Sequence, residues 1–179
     1  MKENWKLTLP IDNDSIKLYE SCGIDKIIGS ILYSRGINKK EEIISFIYPE
    51  LNFLHSPFLM NGMSDAVERI KKALCNGEFI GIFADSDLDG ITSLTILHDL
   101  LSKCGSRLFI RYPKDKEGYG LTCDIIDEYI SAGISLLITV DSGIRDINVV
   151  AYALSHGIDT IITDHHEPDV AFPQAIFVN

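Results

Sequence analysis

A change of pattern near residue 79 constrains this chain more than any other feature. From there, short apolar runs alternate with segments of helical periodicity. The runs fall at roughly 79–83, 107–112, 135–140, 159–163 and 175–178, and the helical segments at roughly 91–103, 122–132 and 146–156. Phe79-Ile80-Gly81-Ile82-Phe83 and Leu136-Leu137-Ile138-Thr139-Val140 are apolar at both odd and even positions. A strand of that kind is covered on both faces. Alternation with helices then predicts an α/β fold: a mainly parallel five-stranded sheet with helices on both faces. Gly133 and Gly157 stand where helices should stop, and Asp146 stands where the third should begin.

The first 75 or so residues lack this alternation and read as a small helical leader of short helices and turns. Asp14-Ser15 suits a helix cap, and Ile27, Ile28, Ile31 and Leu32 recur at helical spacing. Asn38-Lys39-Lys40-Glu41-Glu42 resembles a helix start that Pro49 brings to an end, and Ser64 opens a further helix. The predicted division is therefore a leader over 1–75 and an α/β domain over 76–179.

Three of the apolar runs end in metal-ligand residue types. Asp85-Ser86-Asp87-Leu88-Asp89-Gly90 follows the first, Asp141-Ser142-Gly143 the third and Asp164-His165-His166-Glu167 the fourth. In a parallel sheet the carboxyl ends of the strands share one edge, and ligands bind there. Carboxylates gathered at that edge repel one another unless a cation neutralises them. Carboxylates with imidazole suit Mn2+ or Mg2+ better than a thiolate-seeking ion. Two such ions can polarise a phosphoryl group and activate water, so the reaction class is phosphoester hydrolysis. Asp85, Asp87 and Asp89 alternate along one face if the loop stays extended. Gly90 then turns the chain into a helix at Ile91-Thr92-Ser93, whose backbone N–H groups suit a phosphate.

Each motif has other readings. An EF-hand loop shares the D-x-D-x-D-G opening but needs Glu at its twelfth position, which is Ile96 here. A phosphatase with an aspartyl nucleophile fits Asp85 and Asp87 and leaves Asp164-His165-His166 without a role. A solvated turn capping a helix fits Asp85–Gly90 taken alone, and a plain turn after a strand fits Asp141–Gly143. His55, His98 and His156 read as surface or capping residues.

Composition narrows the setting. A net charge of −10 argues against broad adsorption to nucleic acid or anionic membrane. The nearest approach to a basic stripe is Lys103, Arg107, Arg111, Lys114 and Lys116. The four cysteines have neither zinc nor redox spacing, so packed, reduced thiols and a cytoplasmic location are expected. No segment has the ~20 apolar residues of a membrane span, and the opening Met1-Lys2-Glu3-Asn4-Trp5-Lys6 is unlike a signal peptide.

In order and spacing, Asp85–Ser93, Gly118-Tyr119-Gly120-Leu121, Val140-Asp141-Ser142-Gly143-Ile144 and Asp164-His165-His166-Glu167 resemble the DHH phosphoesterase superfamily. Within it they are similar to the RecJ exonucleases. Ser34-Arg35-Gly36-Ile37, Pro57-Phe58-Leu59-Met60 and Met63–Ile70 extend the likeness into the leader. The resemblance implies a 5′-to-3′ single-stranded-DNA exonuclease using two Mn2+ or Mg2+ ions. It implies Asp85, Asp87, Asp89, Asp141 and His165 as metal ligands, with Asp141 the carboxylate that can bridge both ions. His166 would face substrate phosphate, with Thr92, Ser93 and Gly143 also at the substrate, and Asp164 would orient an imidazole. Single-stranded DNA is the implied partner, with a single-strand-binding protein and a helicase as further candidates. Ala84 and Ser86 depart from the Gly and aromatic residue usual in the family. Complete members continue past a position like Asn179 into another Asp-bearing motif and a second domain. The chain then reads as a fragment, a split-gene product or a decayed copy, with weakened ion binding and little or no activity alone. Two alternatives remain open: a DHH phosphodiesterase of short oligonucleotides or cyclic dinucleotides, and a non-catalytic binding protein on the same fold.

Overall fold

A computed structural model describes residues 11–114, 117–118 and 120–179. Met1–Lys6, Lys116 and Tyr119, named above, lie outside the described residues. The chain divides into two compact units, Met1–Ser56 and Pro57–Asn179.

In the first unit, α1 (Asn13–Ser21), α2 (Lys26–Ser34) and α3 (Lys40–Ile47) enclose Tyr19, Ile24, Leu32 and Ile43. Asp12 caps α1, accepting the Ser15 N–H at 2.8 Å, so Asp14 falls in the first turn instead of at the cap. The inward side of α2 is Gly29 and Leu32, while Ile27, Ile28 and Ile31 are exposed. Tyr19 is the reason. A Cβ on Gly29 would stand 2.9 Å from its ring, so the helices meet where the side chain is missing. The Tyr19 hydroxyl then donates to the Ile37 carbonyl at 2.7 Å.

The second unit is the predicted α/β sheet. Its strands β1 (Phe79–Ala84), β2 (Arg107–Arg111), β3 (Leu136–Val140), β4 (Asp159–Thr163) and β5 (Ile176–Val178) are all parallel. They run in the order β2-β1-β3-β4-β5. Strand alternation sorts the apolar residues into two cores. Ile80, Ile82, Leu136, Ile138, Val140 and Ile161 meet α4 (Met63–Asn76) and α5 (Leu88–Lys103) through Ala66, Ala73, Leu94 and Leu101. On the other face, Phe83, Leu137 and Ile162 meet α6 (Cys123–Ala132) and α7 (Ile147–Ser155) through Ile125, Ile126, Tyr129, Val150 and Ala153.

Because α4 contributes Ala66 and Ala73 to the sheet's own core, it belongs to the second unit. The boundary therefore falls at Ser56, not near residue 75. Helix α4 opens at Met63, one residue before Ser64, with Gly62 as its cap. The cysteines are unpaired, but Cys75, Cys104 and Cys123 are exposed where packed thiols were expected.

Candidate metal centre

The winding direction reverses between β1 and β3, which lie side by side. Their carboxyl ends diverge into loops at that point, and the acidic motifs follow those two strands and β4. The sheet topology thus brings together residues that are distant in sequence, at the place where open α/β sheets bind ligands.

The first motif is not an extended loop. Helix α5 begins at Leu88, with Asp87 as its N-cap accepting the Gly90 N–H at 3.1 Å. Gly90 sits inside the first helical turn and serves close approach instead of a turn. A Cβ there would stand 2.4 Å from the Asp85 carbonyl oxygen, so only glycine lets the helix start against the end of β1. Thr92 and Ser93 consequently lie beyond the helix's unpaired N–H groups and do not form the phosphate seat predicted for them. The Thr92 hydroxyl donates back to the Asp89 carbonyl at 3.1 Å. Ser93 lines a cleft with Asp89, Asp141, Asp164 and His165.

The second motif is a tight turn built from two residues with positive φ, Asp141 at 59° and Gly143 at 106°. Asp141 is the one non-glycine residue with positive φ among the described residues, and aspartate tolerates that region better than most side chains. Space requires the glycine: a Cβ on it would meet Thr139 Oγ1 at 2.8 Å. That hydroxyl donates to the Ser142 carbonyl at 2.7 Å and closes the turn. The Asp141 backbone N–H stays in register with β4, donating to the Thr163 carbonyl at 2.8 Å.

The third motif is held by Asp164, whose side chain is 1% exposed. It accepts N–H groups from His166 at 3.0 Å and Ile144 at 3.1 Å, tying the β4 turn to the β3 turn. Its Oδ1 also lies 2.8 Å from His166 Nδ1. Burial opposes charge on Asp164, but those N–H groups and the ring outweigh it and hold its pKa below the usual value. The same contact raises the pKa of His166.

Two donor sets result. Asp85, Asp87 and Asp141 each bring an oxygen within 4.8 Å of the others, and Asp141, His165 and His166 do the same with one atom each. Asp141 belongs to both. Its Oδ1 lies 3.0 Å from His165 Nε2, while its buried Oδ2 has no hydrogen-bond partner among the described residues. Burial pushes the Asp141 carboxyl up, and the carboxylates of Asp89 and Asp87 add to the effect. Asp87 is held down, chiefly by the Gly90 N–H. Asp89 belongs to neither set, although its carboxylate lies 3.7 Å from His165 Nε2. A carboxylate that belongs to two donor sets of carboxylates and imidazoles, with one buried oxygen unsatisfied, fits a divalent cation such as Mn2+ or Mg2+.

The family description "DHH family, N-terminal domain" matches residues 79–179. The chain belongs to the DHH family. Within this DHH group it is 36% identical over 174 residues to the single-stranded-DNA-specific exonuclease RecJ of Bacillus subtilis, covering 96% of this chain and 22% of that protein. A crystal structure of exonuclease RecJ bound to manganese is similar at TM-score 0.65 and 29% identity, over 70% of this chain and 32% of that one. RecJ from Thermus thermophilus in complex with Mn2+ shares the fold at TM-score 0.71 and 24% identity, over 96% of this chain and 24% of that one. The DHH chain thus spans about a quarter of the length of the curated relatives it matches.

Sequence reasoning missed three parts of this DHH site. Ile144 supplies an N–H to Asp164. Asn179 donates to the Asp164 carbonyl at 2.6 Å. Arg145 lines a second small cleft with Gly143, Asp164 and His166. For Arg145 the available signal was its position two residues after Gly143, in the loop leading to α7.

Proposed function

We propose that this chain carries metal-binding residues of a RecJ-like exonuclease that degrades single-stranded DNA from 5′ to 3′ with two Mn2+ or Mg2+ ions. The observation that carries this reading is Asp141: one buried carboxylate, in a left-handed turn, shared by two donor sets with one oxygen unsatisfied. The likeness to RecJ over 96% of the chain supports the substrate class.

The roles follow from the geometry. Asp85, Asp87 and Asp141 would hold one ion, and Asp141 with His165 and His166 the other. Bound there, divalent cations would supply Lewis-acid charge and a water acidic enough to act as nucleophile near neutral pH. Asp141 keeps the two sites at a fixed separation. Asp87 is oriented in advance by the Gly90 N–H, so it loses little freedom on binding. Asp164 holds the ring of His166 through Nδ1, and the ring then acts through Nε2 on a ligand or on a substrate phosphate. Asp89 contributes charge at the rim and a partner for His165.

The same reading carries a cytoplasmic location, with a single-strand-binding protein and a helicase as further partners. The unpaired cysteines support a reducing compartment. Among the described residues, no helix is long and apolar enough to cross a membrane.

The test uses the full-length protein with 5′-labelled single-stranded DNA and Mn2+. Nucleotide release from the 5′ end, abolished by Asp141→Asn, is the expected result. Faster hydrolysis of dinucleotides or cyclic dinucleotides than of long strands would replace the reading with a small-substrate phosphodiesterase. DNA binding with no hydrolysis of either would make the protein a non-catalytic binder.

A further inference from the structure

Carboxylates dominate this sheet edge, and DNA is a polyanion. Cations at the two donor sets would answer the charge at the reacting phosphate. They leave open how neighbouring phosphates approach an edge bearing Asp85, Asp87, Asp89, Asp141 and Asp164 in a chain of net charge −10. The turn after β3 supplies an answer. Arg145 Nε donates to the Glu167 carbonyl at 2.9 Å, which pins the side chain to the segment bearing His165 and His166. Among the described residues no acceptor takes its two Nη groups, and the residue is exposed. Arg145 and His166 line one small cleft, with the Gly143 backbone between them. A guanidinium fixed at Nε and open at both Nη atoms presents the fork that pairs with two phosphate oxygens.

Resting on the exonuclease reading, we infer that Arg145 is a substrate-binding residue whose Nη fork takes the non-bridging oxygens of a DNA phosphate on the Gly143–His166 side of the centre. It acts on binding and not on the bond broken. A lysine would keep the charge and lose the fork. Arg145 makes no hydrogen bond or ion pair with the carboxylates of the two donor sets, so its removal leaves those ligands in place.

The test measures binding apart from hydrolysis. Full-length protein with Mn2+ is titrated against a fluorescent, phosphorothioate-protected oligodeoxythymidylate, and anisotropy is followed as a function of salt. Arg145→Ala should weaken binding about 10- to 100-fold, as expected for a charged hydrogen-bonded contact. It should also lower the slope of log K against log salt by about 0.7, one phosphate contact on a single strand. Arg145→Lys should restore the slope and only part of the affinity. Mn2+ affinity should be unchanged in both variants. Oligonucleotides with and without a 5′-phosphate separate the sources: a loss confined to phosphorylated ends assigns the terminal phosphate, and an equal loss assigns an internal one.

An unchanged slope with affinity within twofold would overturn the inference. The exonuclease reading would stand in that case if Asp141→Asn still abolished cleavage. If the unaltered protein cleaved no DNA, that reading would fail, while the binding data would still decide the role of Arg145.

Discussion

The two edges of the sheet both collect acidic residues, and they handle the charge in opposite ways. At the amino edge, Glu78 and Asp159 flank Arg69, at 2.8 and 2.6 Å, and the Ser135 hydroxyl adds a bond to Glu78 at 2.8 Å. The protein brings its own cation there, and Arg69 holds the Glu78 carboxyl below its usual pKa. At the carboxyl edge, Asp85, Asp87, Asp141 and Asp164 gather without a Lys or Arg partner among the described residues, and histidine is the only basic group paired with them. One edge is neutralised from within and contributes to stability. The other is left in deficit, which is costly to the fold unless a cation arrives. That difference separates a structural ion-pair network from a binding site built of similar residue types.

The largest expected effect is at Asp141. Asparagine keeps its shape and tolerates the left-handed backbone, so Asp141→Asn removes charge and little else. Mn2+ affinity, measured by calorimetry or by the free-ion spin signal, should fall at least about 100-fold, more than removal of an outer partner of a ligand costs. The metal-free variant should melt at a higher temperature than the metal-free parent, since a buried, repelled carboxylate has gone. Retained Mn2+ affinity, or a lower melting temperature in chelator, would break the contrast between the edges.

The opposite edge should respond the other way. Arg69→Met leaves Glu78 and Asp159 without their cation and should cost about 2 kcal/mol, between an exposed pair and a fully buried one. The low end is favoured because Arg69 Nη1 is itself buried without a partner. A fall of several degrees in melting temperature is the readout. Mn2+ affinity should not change. A variant that lost ion binding together with stability would show the two edges to be coupled.

How much of this was legible beforehand depended on whether the deciding interaction was local. Strands apolar on both faces, alternating with helices, specify a parallel sheet, and acids at three strand ends specify the shared edge. The helix starts were less legible. Asp85, Asp87 and Asp89 all suit a cap, and the choice of Asp87 rests on Gly90 meeting the Asp85 carbonyl, a contact with no periodic signature. Asp146 occupies the position predicted for the α7 cap, yet its carboxylate accepts the Leu121 N–H at 2.9 Å and makes no capping bond. In α2 the spacing of Ile27, Ile28, Ile31 and Leu32 gave the helix but not its buried face, because packing follows Gly29, an absence that hydrophobic periodicity does not register. Asp141 was legible as a residue type. Its bridging place was implied by the family resemblance, while its left-handed backbone was not legible.

The smallest expected effect concerns pH and belongs to the amino edge alone. Arg69, with Ser135 and Asn76, lowers the pKa of Glu78 below its ordinary value. A carboxyl whose folded-state pKa is depressed adds stability that is fully present above its unfolded pKa, ordinarily near 4.5. That stability is lost as pH falls through the folded value. The gap in melting temperature between the parent and Arg69→Met should therefore hold constant from neutral pH down to about 5. It should then narrow toward zero in more acidic solution, as Glu78 takes up its proton and no longer needs the cation. The measurement is a set of melting curves for both proteins in chelator, so that ions at the carboxyl edge do not contribute. A gap that stayed constant down to pH values well below the carboxylate range would mean that Arg69 stabilises the fold through packing of its stem instead of its charge. The amino edge would then no longer count as self-neutralised.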